Sequence, residues 1–176
     1  LGALMVTKDS KLNTLAKFVA AAKANPGKLT VAGVGSTGAA NFGELAKILN
    51  IKTAYVPVSG GVGKMIPMVL GKHVDAGMTA SSHAVKHKAT LDTLVVAGPG
   101  PSGALPGVPN EPLWSYTTTW GVMAPPGTPA DRVAILNAAL RKATADPKVK
   151  NIVIKNGLAP MSQTPAEAKA YVQAAI

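Results

Sequence analysis

Residues 29–38 read Leu29-Thr30-Val31-Ala32-Gly33-Val34-Gly35-Ser36-Thr37-Gly38. Leu29 to Ala32 is a short apolar run of strand type, and the glycine-rich segment behind it leads into a helical pattern that ends near Asn50. Glycine lets the backbone turn tightly and approach other atoms closely. A helix that starts at such a turn presents free amides, and with its macrodipole these favour an anion. The same unit recurs twice downstream. Ala54 to Pro57 is a strand, Ser59-Gly60-Gly61-Val62-Gly63 is the turn, and a helix follows to about Leu70. Val74 to Thr79 is the next strand, and Ser81-Ser82 is placed to cap a short helix to about Lys88. Pro67 must lie near the start of its helix or kink it.

Upstream, Ala3 to Thr7 reads as a strand. Asn13 or Thr14 caps a helix to about Ala24, which Asn25-Pro26-Gly27 stops. Leu94 to Ala97 is a fifth strand. This alternation predicts βαβ units in an α/β fold with a mostly parallel sheet. The glycine-rich turns then recur on the carboxyl edge of the sheet, where open α/β sheets bind ligands.

The stretch from Gly98 to Pro112 has no periodicity and reads as a loop or a connection between lobes. Tyr116 to Met123 is β-rich. Thr128-Pro129-Ala130-Asp131 starts a helix, with Thr as cap and Pro at the first position. Asp146-Pro147 interrupts it, a second helix reaches Asn156, and Gly157 ends that one. Thr164-Pro165-Ala166-Glu167 is a capping box for a last helix. Such helices need a sheet to cover. The sheet partner of residues 116–176 is therefore expected outside this chain.

The 176 residues carry 18 Lys and Arg against 8 Asp and Glu, a net charge of +10, and no cysteine. Disulfides and thiol chemistry are thereby excluded. The positive field attracts anions, but the basic residues are spread along the chain and aromatics are only 4%, too few for a stacking platform that would hold single-stranded nucleic acid. A nucleic-acid partner is not expected. No apolar run approaches the ~20 residues of a membrane span. The chain opens at Leu1 without an initiator Met, which fits a processed product or a fragment.

Gly35, Ser36, Thr37 and Gly38 in the first turn, with Ser59, Gly60 and Gly61 in the second, are the candidate ligand-binding residues. Ser81, after the fourth strand, is a further side-wall donor. Lys64 sits just inside its helix, placed to steer anions or simply to meet solvent. Each loop also admits a plainer reading, an ordinary tight turn with a Ser or Thr cap. A rival function is a nucleotide-dependent α/β enzyme using Gly33 to Gly38. Glycines 33, 35 and 38 fit G-x-G-x-x-G, but Ala54 to Pro57 supplies no acid for a ribose, and Gly38 is followed by Ala39-Ala40 rather than the Lys of a phosphate loop. His83 and His87 are four apart with no glutamate of the H-E-x-x-H kind between them. No catalytic residue, cofactor or metal site is assigned, and an enzyme is not expected.

The ordered set of short elements resembles the tripartite tricarboxylate transporter substrate-binding family, the TctC or Bug proteins. It comprises Ala24-Asn25-Pro26-Gly27-Lys28-Leu29, Gly33-Val34-Gly35-Ser36 with Gly43-Glu44-Leu45, and Val56-Pro57. It continues with Gly71-Lys72-His73-Val74-Asp75, Leu105-Pro106-Gly107-Val108-Pro109, Gly121-Val122-Met123-Ala124-Pro125-Pro126-Gly127-Thr128-Pro129 and Thr164-Pro165-Ala166-Glu167. The resemblance implies a periplasmic-binding-protein-like, type II, two-lobe α/β fold. It also implies a small organic carboxylate in the cleft, passed on to membrane transporter subunits in the periplasm. Residues 1–115 would form most of one lobe. Residues 116–176 would be the returning part of the other, truncated lobe, whose first strands come from an N-terminal stretch not in this chain.

Overall fold

The computed structural model describes residues 1–100, 103–115, 119–156 and 158–174. The chain divides into two compact units, Leu1–Thr118 and Thr119–Ile176.

In the first unit the elements run β1 (Gly2–Thr7), α1 (Leu15–Ala24), β2 (Thr30–Val34), α2 (Gly35–Ile48), β3 (Ala54–Val58), α3 (Val62–Leu70), β4 (Ala76–Ala80), α4 (Ser81–His87), β5 (Leu91–Ala97) and β6 (Asn110–Glu111). They build a six-stranded sheet in the order β3-β2-β4-β1-β5-β6. β2 is parallel to β3 and β4, and β5 to β6, whereas β1 is antiparallel to both of its neighbours. The mostly parallel sheet is borne out, with β1 as the one reversed strand.

Every residue of β1 is buried, as a strand covered on both faces requires. Its side chains alternate between two cores. Leu4 and Val6 join Phe18 of α1, Phe42 and Leu45 of α2, and Trp114. Ala3 and Met5 join Met65, Ile66 and Val69 of α3 and Ala84 of α4. The period of two thus puts α1 and α2 on one face of the sheet and α3 and α4 on the other. At the amino edge the carboxylate of Asp75 pins β2 to the start of β4, accepting from Thr30 N at 2.7 Å and from Thr30 Oγ1 at 2.8 Å. Asp75 is therefore a structural clasp.

Of the two places open to Pro67, the one near the helix start is not taken: Pro67 is the sixth residue of the nine in α3. Several local expectations are corrected. The segment after Gly98 is not wholly irregular, since Asn110 and Glu111 pair with Val96 and Ala97. Ser81 and Ser82 do not cap α4; Ala80 holds the cap position and both serines lie in the helix. Thr128 does not cap the helix after it either, because its hydroxyl donates to Pro125 O at 2.8 Å and Pro129 holds that position.

The second unit contains α5 (Ala130–Ala145), α6 (Pro147–Lys155) and α7 (Pro165–Ala174). Asp146 caps α6, accepting from Lys148 N and Val149 N. The capping box at α7 is closed in both directions: Glu167 N donates to Thr164 Oγ1 and Thr164 N to Glu167 Oε2. Asn137 ties α5 to the segment before α7 by donating to Gln163 O at 3.0 Å. The helices contain no buried residue, and Leu136, Leu140, Ile152 and Val172 stand exposed. The expected β structure of 116–123 is absent from described residues 119–123. Residues 116–118 and Gly157, the expected helix stop, lie outside the described residues.

Candidate functional site

β2 lies between β3 and β4 and is parallel to both, so the helices that follow these strands begin at one sheet edge. Val34 and Val58 are paired residues of β2 and β3. The first turn leaves from Val34 directly into α2, and the second leaves from Val58 through Ser59, Gly60 and Gly61 into α3. The turns at 33–38 and 59–63 therefore rise from adjacent points of the carboxyl edge, on opposite faces of the sheet. α4 starts at the same edge, after β4.

The expected loop at 35–38 is the first turn of α2 itself. Gly35, Ser36 and Thr37 are exposed and Gly38 is partly so. Gly35 has φ +59°, a conformation that glycine adopts without a Cβ penalty. Ser59 and Gly60 are exposed and Gly61 is partly so; Gly60 and Gly61 have φ +97° and +81°. The side chain of Lys64 folds back over this turn. A methyl group on Gly60 would lie 2.8 Å from Lys64 Cδ and 3.2 Å from its ammonium nitrogen. The ammonium thus lies at the carboxyl edge, beside the start of α3.

The three helix starts share an electrostatic peculiarity. The cap positions of α2, α3 and α4 are Val34, Gly61 and Ala80; none accepts through a side chain, and no acid stands in any of these first turns. The first amides of a helix have no intrahelical partner. At α2 and α3, among the described residues, they are met neither by a side-chain cap nor by an acid of the same first turn. Ser81 differs from the other candidates. It is buried, and its amide donates to Leu1 O at 2.8 Å, which ties α4 to the head of β1. The imidazole of His83 is held below its ordinary pKa by burial, then by the charges of His87 and Lys86. Among the described residues no three His, Cys, Asp or Glu side chains gather where they could hold a metal ion.

Two features of this edge were not foreseen from the sequence. Tyr55 reaches across from β3 and donates to Gly35 O at 3.2 Å. Asn41 and Glu44 of α2 grip the segment where the first unit ends. Trp114 Nε1 donates to Asn41 Oδ1 at 2.8 Å, and Glu44 Oε1 accepts from Ser115 Oγ at 3.1 Å. Asn41 and Trp114 are 73 positions apart, so no local pattern announces the pair.

A family model described as TctC, tripartite tricarboxylate transporter family receptor, matches residues 2–176. The chain belongs to this family. That description is of a transport receptor, not an enzyme. A UPF0065 protein of Cupriavidus necator is 29% identical over 163 residues, covering 89% of this chain and 50% of its own length. A second, from Pseudomonas sp., is 30% identical over 166 residues, covering 88% and 49%. The chain thus spans about half the length of these curated relatives. Among solved structures, a periplasmic transporter superposes with TM-score 0.88 at 24% identity over 98% of this chain and 60% of its own. A Rhodopseudomonas palustris protein with adipate gives 0.88 at 21% identity, over 98% and 60%. MatC from Rhodopseudomonas palustris with bound malate gives 0.82 at 24%, over 98% and 63%. The expected periplasmic-binding-protein fold is borne out, and the chain spans about 60% of such structures. Among the described residues no helix is long and apolar enough to cross a membrane.

Proposed function

We propose that this TctC chain is the greater part of a periplasmic solute-binding receptor that holds a small organic carboxylate on backbone amides and delivers it to membrane transporter subunits. One observation carries the reading: α2 and α3 begin side by side at one sheet edge, with neither side-chain caps nor acids in their first turns. A carboxylate seated there accepts from the Ser36 and Thr37 side of α2 and the Ser59-Gly60-Gly61 side of α3, and it meets the positive ends of both dipoles. Lys64 adds a full positive charge beside α3, in a first turn where a cation is intrinsically disfavoured. A bound anion relieves that conflict. Gly35 supplies the left-handed turn from which α2 starts, Gly38 lies in the same first turn, and Ser81 contributes by fixing α4 to β1. The adipate and malate held by structurally similar proteins support a dicarboxylate-sized guest.

Residues 116–176 are the returning part of the second lobe. Their exposed apolar faces, on Ile152 and Val172 for example, are of the kind that pack on a sheet. Binding then proceeds by closure of two lobes, with no bond made or broken. The nucleotide-enzyme reading gains nothing from the structure, since β3 carries no acid at its end.

Calorimetric titration of the full chain with malate and adipate, against uncharged analogues, ATP and duplex DNA, tests this function. Saturable binding of a carboxylate alone is expected. Removing both hydroxyls, by Ser36→Ala with Thr37→Val, should weaken it only about two- to threefold if the amides dominate. Binding of ATP in place of any carboxylate would overturn the reading.

A further inference from the structure

Tyr55 stands on β3 at the sheet margin, opposite Val31 of β2. Its side chain lies under the start of α2. The ring stacks on Phe42 of α2, with centroids 6.3 Å apart and planes 21° from parallel, and the hydroxyl donates to Gly35 O. Two glycines make room for it. A methyl group on Gly33 would come within 2.5 Å of the phenol oxygen and 3.0 Å of ring carbon Cε2; one on Gly38 would also lie 2.5 Å from that oxygen. Such approaches are closer than real carbon contacts permit. Glycines 33 and 38 are therefore the walls of a socket for Tyr55, and Gly35 serves the left-handed turn between them. Each glycine of the motif has a cause inside the protein. Ser36 and Thr37 are left to face outward.

The first turn of α2 needs such support. It reads Gly35-Ser36-Thr37-Gly38, all weak helix formers, and it has no side-chain cap. Nucleating a helix is unfavourable even for good sequences. The contacts beneath the turn, rather than its own propensity, hold its amides in line. Burial raises the Tyr55 pKa, so the phenol remains a donor at neutral pH.

We propose that Tyr55 is a positioning residue: seated between Gly33 and Gly38, it sets the angle at which the first turn of α2 presents the Ser36 and Thr37 amides to a carboxylate. This rests on the amide-cradle reading above.

The test follows the backbone amide resonances of residues 33–38 in the full chain while malate and adipate are titrated. The wild type is compared with Tyr55→Phe, Gly38→Ala and their combination, and Thr14→Ala serves as a destabilised control away from the edge. The expected result is that Tyr55→Phe weakens carboxylate binding about three- to tenfold and moves the free-state resonances of 35–38, while Thr14→Ala does neither. Gly38→Ala should disturb the turn in the wild type but less in the Tyr55→Phe background, because the clashing oxygen is gone. Unchanged affinity and unchanged resonances in Tyr55→Phe would overturn the positioning role and leave the cradle standing. If neither acid moves the wild-type Ser36 and Thr37 resonances, the cradle fails. The positioning role is then judged on the free-state spectra, and falls if Tyr55→Phe leaves them in place.

Discussion

α1, α6 and α7 begin in one way, and α2 and α3 in another. Thr14 accepts from Lys17 N at α1, Asp146 from two amides at α6, and Thr164 and Glu167 close a reciprocal box at α7. These starts satisfy themselves locally. α2 and α3 place Val34 and Gly61 where a cap would stand. The difference follows the topology. The self-satisfied starts lie away from the carboxyl edge or in the second unit, whereas the open ones follow β2 and β3 at the carboxyl edge. α5, in the second unit, also lacks a side-chain cap but carries Asp131 in its first turn. What sets α2 and α3 apart from it is the lack of both a cap and an acid; a start that must receive a guest cannot fill its own amides.

The largest expected effect comes from converting an open start into a closed one. Thr37→Asp places a carboxylate in the first turn of α2, where it gains up to about 1 kcal/mol from the dipole and the free amides. It also occupies and repels the guest's place. Malate or adipate affinity should fall at least about tenfold, equivalent to ~1.4 kcal/mol, while the melting temperature holds or rises. A drop in stability with unaltered affinity would mean that the first turn is not a receptor. The converse change is Asp146→Ala at α6, expected to cost about 1 kcal/mol of stability without altering carboxylate affinity. Calorimetry and thermal melts on the same samples read both quantities.

A smaller effect is expected at Lys64. Its stem rests on Gly60, but its head is open to water, so its field is screened. Lys64→Gln should weaken carboxylate binding about threefold at low salt, with the difference shrinking as salt is added. A loss that ignores ionic strength would instead indicate a direct, desolvated contact.

Much of the open edge was legible in the sequence, because strand, glycine turn and helix are local patterns repeated in register. Leu29 to Gly38 and Ala54 to Gly63 announce where the two turns begin, and parallel neighbours must turn at the same edge. Thr164 and Glu167 were legible for the same reason, being three residues apart. What escaped was long-range. The reversed direction of β1 depends on which strands it joins, and its six buried residues would read the same either way. The seat of Tyr55 between Gly33 and Gly38 depends on the Val31–Tyr55 register; from sequence alone those glycines read as room for a ligand. The β reading of Tyr116 to Met123 erred in the opposite sense over its described part, 119–123. β-branched and aromatic residues favour strands only where a partner strand and a covered face are available, and Trp120 and Met123 are 85% and 92% exposed.

The finest separation between the two kinds of helix start is by pH. At α7 the Glu167 carboxylate accepts from Thr164 N at 2.7 Å and from Thr164 Oγ1 at 2.9 Å. The bond from the Thr164 backbone, then that from its hydroxyl, holds its pKa below the ordinary glutamate value. A carboxyl group depressed on folding contributes fully above its unfolded pKa, about 4.3, and loses that contribution as pH falls through the lower folded value. The start of α7 should therefore loosen on the acid side of that window. The first turns of α2 and α3, which contain no acid, should not respond to it. Carboxyl and amide resonances followed from neutral pH into acid would show Glu167 titrating below the ordinary range together with the Thr164 and Glu167 amides, while those of Ser36 and Val62 stay still. If Glu167 titrates at or above the ordinary value, the box is not closed in solution, and the contrast between satisfied and open helix starts loses its best-defined member.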